Sequence, residues 1–137
     1  MIHGPAYVAF LLKYAIVISG YSMPYDVPLP TLVEFSHVQM VHNTCPKHKH
    51  CKTVYGYYRD DEIIYVDPSQ IQKEQFVTED SVVVHELTHW LQQHHGHGGF
   101  SCEQVGFRER EAYRVQQVFV EQYEHGRFPL RAPDWNC

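Results

Sequence analysis

Val82-Val83-Val84-His85-Glu86-Leu87-Thr88-His89-Trp90-Leu91 is the stretch on which the reading of this chain turns. On an α-helix, residues four apart are displaced by about 40° and rise about 6 Å, so His85 and His89 point to one side and can grip one ion. Glu86 stands about 100° round from His85, close enough to reach a water at that ion without being a ligand. Leu87 and Thr88 are uncharged and the flanks are apolar, as expected of a helix buried on the sides that face away from a metal. Three ionisable groups in so apolar a helix would be costly to bury with no ion to satisfy them. The H-E-x-x-H pattern therefore predicts zinc (Zn2+) held by His85 and His89, with Glu86 as general base toward an acidified water.

Working outward, Thr78 or Asp80 can cap this helix, which is expected to run to about His95, where Gly96, Gly98 and Gly99 break it. A second helix is expected from Gly106 to about Glu124, ended by Gly126 with Pro129 beyond. Thr31 to Val38 reads as a strand. Val54 to Tyr58 and Glu62 to Asp67 read as two more, joined by a turn at Arg59-Asp60-Asp61. Near the start, Leu11, Leu12, Ala15, Ile16 and Ser19 recur at helical spacing between Pro5 and Gly20, which predicts a buried first helix. A signal-peptide core is the rival reading, but no positive region precedes it and no clear A-x-A site follows. The order is N-terminal helix, small mixed or antiparallel sheet, helix, helix: an α+β layout in one domain over residues 1–137.

Composition narrows the classes. A chain of 137 residues with 44% hydrophobic and 20% charged content is that of an ordinary globular protein. The net charge of -5, with no basic stripe, gives no reason to expect nucleic acid. The apolar run from Ala6 to Ser19 is interrupted by Lys13 and is too short to span a bilayer. Eleven histidines raise the prior for a metal site. Of these, His94, His95 and His97 read as a solvated helix end, and His48 and His50 as an exposed loop. The four cysteines form no C-x-x-C pair and permit two disulfides. Cys45–Cys51 and Cys102–Cys137 are the favoured pairs, and they imply a secreted or periplasmic protein. Four free thiols would leave a cytoplasmic location open.

Zinc needs a third protein ligand, and two rivals present themselves. His95 stands at the last position of the metzincin pattern H-E-x-x-H-x-x-G-x-x-H, but Gln92 occupies the glycine position that bends the chain back. In a continuing helix His95 lies about 9 Å along the axis from His89. No methionine follows the motif to form a Met-turn. The other rival is a glutamate on the second helix. Here the chain resembles the gluzincins, whose third ligand comes from an E-x-x-x-D-like segment on the helix after the active-site helix. Glu109-Arg110-Glu111-Ala112-Tyr113 fits, with Ala112 at the small position and a spacing from His89 like that of thermolysin-type enzymes. It departs at Tyr113, where an aspartate would support the first histidine. Glu109 is the preferred ligand, with Glu111 as the fallback.

The resemblance covers roughly residues 54 to 120. His85-Glu-Leu-Thr-His-Trp-Leu-Gln92 with Glu-x-x-Ala-Tyr-x-x-Gln116 is similar to small, little-characterised metallopeptidases. It implies a minimal zincin-like fold and a zinc-dependent hydrolase acting on a peptide or protein substrate. An edge strand before the active-site helix would pair with that substrate, and Glu62 to Asp67 is the candidate. Tyr113 is a candidate phenol for stabilising an oxyanion. Two other classes remain: a zincin-like binding module that keeps zinc without proteolysis, and a hydrolase of non-peptide amides. The oligomeric state is not legible in these residues.

Overall fold

The computed structural model describes residues 2–44, 55–132 and 137. The chain is α+β. Strand β1 (Ile2–His3) leads into helix α1 (Pro5–Ser19), with proline in its first turn. Gly20 ends α1 at φ 84°, donating its N–H back to the Ile16 carbonyl, a left-handed cap that suits glycine. Val8, Leu11, Leu12 and Ala15 form the buried face of α1, which packs on the helix carrying the motif.

Strands β2 (Thr31–Glu34), β3 (Gly56–Tyr58) and β4 (Ile63–Val66) complete a four-stranded sheet in the order β1-β2-β4-β3. The β3–β4 hairpin is antiparallel, and its turn holds Asp60 and Glu62 at positive φ. Between β2 and β4 the pairing is parallel, with Leu32 opposite Ile64. This corrects two expectations. Glu62 to Asp67 is not a sheet edge, because β2 covers its outer side; among the described residues the edges are β1 and β3. The strand expected over Thr31 to Val38 stops at Glu34, and α2 (His37–Thr44) follows with Met40 buried. The Cys45–Cys51 pair, His48, His50 and Val54 lie outside the described residues.

Asp67 caps the short α3 (Pro68–Ile71) through the N–H groups of Ser69 and Gln70. Helix α4 (Glu79–His94) starts at a capping box in which Thr78 and Ser81 satisfy each other's backbone. It is buried almost continuously from Ser81 to Gln92, between α1, the β3–β4 hairpin and α5 (Cys102–Val118). α5 begins a turn earlier than expected, because Ser101 and Gln104 form a second capping box. It ends at Val118 and passes into a wider π-type turn, Phe119–Tyr123. Cys102 at the head of α5 is joined to Cys137. One hydrophobic cluster draws on α1, β2, β4, α4, α5 and Phe128. No helix of the described residues is long and apolar enough to cross a membrane.

Gly56 sets the distance between β3 and α4. A Cβ there would lie 2.8 Å from Val82 Cγ1, 3.0 Å from the Tyr65 carbonyl oxygen and 3.3 Å from Glu86 Cγ. Gly56→Ala is expected to lower the unfolding free energy by about 1–3 kcal/mol, as overpacking does. The urea midpoint of the variant checks this.

Candidate metal centre

α4 and α5 lie side by side, with Ala112 fully buried where they meet. From α4, His85 and His89 project their Nε2 atoms toward the Glu109 carboxylate on α5. Oε1 of Glu109 is 2.6 Å from His89 Nε2, and Oε2 is 3.5 Å from His85 Nε2. One ligand atom from each of the three lies within 4.8 Å of the others, the one such group among the described residues. The site opens on a cleft of about 370 Å³, walled by Tyr55, Tyr57 and Tyr58 on one side and Phe100, Arg108 and Tyr113 on another.

The remaining ring nitrogens decide what this arrangement can hold. His85 Nδ1 is 2.9 Å from Gln116 Oε1, and His89 Nδ1 is 2.8 Å from Gln92 Oε1. Neither amide can be turned round at no cost. Gln92 Nε2 donates to the Arg108 carbonyl and the Glu111 carboxylate, both acceptors only. Gln116 Nε2 donates to Ser81 Oγ, whose own proton is committed to the Thr78 carbonyl. Both amide oxygens therefore face the histidines, and both Nδ1 atoms carry hydrogen. In the neutral rings the lone pairs then sit on Nε2, aimed at Glu109.

Two lone pairs facing a carboxylate repel unless a proton or a cation lies between them. Without a cation, a proton does this. Burial pulls the His89 pKa down, but the Glu109 hydrogen bond and the Glu86 and Glu109 charges prevail and raise it to about 9. Burial works against ionisation of Glu109 too, yet the two histidines hold it well below the usual carboxylate range. Glu86 goes the other way: burial raises its pKa, partly offset by the charges of His85 and His89. Its Oε1 is 3.9 Å from His85 Nε2, and its Oε2 is buried with no hydrogen-bond partner among the described residues. An orphaned carboxylate oxygen costs at least about 1–3 kcal/mol, so it marks a place where something polar belongs. Two imidazole nitrogens, one carboxylate and an unmatched carboxylate alongside fit a divalent cation with a water.

Of the residues singled out in the sequence, His85, Glu86, His89 and Glu109 come together. Tyr113 stands beside them, its ring edge-on to His85 at 4.8 Å between centroids. Glu111 does not join; its Oε1 accepts from Gln92 and from Tyr21. His95 also lies apart, its Nε2 against the Ser22 carbonyl. Two residues were missed. Gln116 supports His85 as the expected aspartate would have from position 113, and Gln92 supports His89 from one turn further along α4. Their signal was available: each is a glutamine one turn from a site residue on its own helix. Comparison with protein families, with curated proteins and with solved structures finds no match for this chain.

Proposed function

We propose that this protein is a zinc-dependent metallopeptidase of the gluzincin kind. The observation that carries this reading is the orphaned Glu86 carboxylate beside two histidine lone pairs and Glu109 on the wall of an open cleft. His85, His89 and Glu109 would hold the zinc. Bound there, zinc supplies Lewis acidity, polarising a carbonyl and making water more acidic. Glu86 accepts the proton of the attacking water and returns it to the leaving amine. Burial, which raises its pKa, suits a group that takes up and gives back a proton near neutrality. Tyr113, also raised by burial, stays protonated and can donate its phenol hydrogen to the oxygen that gains charge. Strand β3 borders the cleft and is a sheet edge among the described residues, so it offers backbone groups to an extended peptide.

A structural ion would be enclosed by four protein ligands and would have no use for Glu86. Among the described residues only three side chains converge. The joined Cys102 and Cys137 support a secreted or periplasmic location. Purified protein is expected to contain about one zinc, and to cleave members of a varied peptide library until a chelator removes it. A protein that retains no zinc overturns the reading. Full zinc with no cleavage replaces the peptidase with a binding module or a hydrolase of other amides.

A further inference from the structure

Three side chains outside the ligand set form one hydrogen-bonded line to the back of His89. Tyr21, in the segment after α1, donates its hydroxyl to Glu111 Oε1 at 2.5 Å. Gln92 Nε2 donates to the same oxygen at 3.0 Å. The oxygen of that amide faces His89 Nδ1 at 2.8 Å. We propose that Tyr21 and Glu111 are positioning residues for the metal, holding Gln92 with its oxygen toward His89. The inference rests on the metal reading above.

The physical reason is the near-symmetry of an amide. Turned by half a rotation, Gln92 fills the same space but presents N–H to His89 Nδ1. That nitrogen must then accept, which in the neutral ring places the hydrogen on Nε2, where the metal should bind. Two acceptors hold the amide the right way round. The Arg108 carbonyl, at 3.0 Å, is neutral. Glu111 is charged, and a charge-assisted bond is roughly twice as strong as a neutral one. Gln92 is fully buried, so the orientation is decided by these partners rather than by bulk water. Tyr21 in turn holds the Glu111 oxygen in place, and its ring is set against His95 at 5.1 Å between centroids. Glu111 thus acts on the metal without touching it.

The test is zinc affinity by chelator competition in the full chain, for the parent, Glu111→Ala, Glu111→Gln and Tyr21→Phe. Loss of a partner that orients a ligand typically weakens metal binding by about 10–100-fold. Glu111→Ala, one step further out, is expected at the lower end, about tenfold. Glu111→Gln keeps an oxygen that can accept from both donors and is expected to restore most of the affinity. Tyr21→Phe is expected to fall between them. The cobalt(II)-loaded protein gives a second readout. The exchangeable, paramagnetically shifted proton on His89 Nδ1 should be sharp in the parent and broadened by solvent exchange in Glu111→Ala. Parental affinity in a folded Glu111→Ala overturns the proposal. Should that variant not fold, unchanged affinity in Tyr21→Phe overturns it instead. A parent that binds neither zinc nor cobalt overturns the metal reading itself, and this inference with it.

Discussion

Glu86→Gln is expected to keep its zinc and to lose turnover by about a hundredfold or more, the size of a general-base contribution. The geometry separates the two roles. Glu109 comes within 2.6 Å of a histidine Nε2, whereas the nearest approach of Glu86 to such a nitrogen is 3.9 Å. A glutamine has the shape of the glutamate but cannot take a proton from water. The variant should be no less stable than the parent, because it replaces a carboxylate whose Oε2 has no partner with a neutral amide. Elemental analysis, initial rates on a cleaved library peptide and the urea midpoint provide the three readings. Loss of zinc in Glu86→Gln would make Glu86 a ligand and leave the site without its base.

Glu109→Gln is expected to lose the metal. The loss should exceed the about 10–100-fold that removal of a ligand's supporting partner costs, because here a donor and its charge are removed. Two histidines on one helix turn would remain. The effect can be read without any substrate. A ligand at 100 times its Kd stabilises the native state by about 2.7 kcal/mol, so zinc should raise the melting temperature of the parent and leave that of Glu109→Gln almost unmoved. A variant that still responds to zinc would return Glu111 to consideration as the donor. Glu111 would then have to leave both Gln92 and Tyr21.

How much of this was legible in the residues varies with the range of the interaction. The His85–His89 helix follows from periodicity within one or two turns, which left Thr78 or Asp80 as its cap; the preference for Glu109 over Glu111 follows from the resemblance to the gluzincins. The head of α5 is equally local, but Gly106 is not its start: Ser101 and Gln104 carry the capping-box pattern, with the cap five residues earlier. The expected strand took in only His37 and Val38 of α2, and of the helix's described side chains only Met40 is buried. The edge strand could not be read locally at all. Which side of the hairpin is covered depends on β2 arriving parallel to β4 from across α2, and no spacing within the hairpin records that. Gln92 stands one turn beyond His89, which marks it as a neighbour of the site but not as its support. Its value lies in its amide partners on α5, which are distant in sequence.

The locality of the centre also has a kinetic consequence. Between α4 and α5, Ser81 and Gln116 are 35 residues apart, His85 and Gln116 31, and Gln92 and Glu111 only 19. Closing a loop of that length is cheap in chain entropy, and each doubling adds only about 0.6 kcal/mol. The parallel β2–β4 pairing joins residues 32 apart, so chain entropy sets no order between it and the α4–α5 contact. An ion that fastens the α4–α5 pair quickens refolding more than it slows unfolding only if that pair is formed in the folding transition state, and otherwise acts mainly by slowing unfolding.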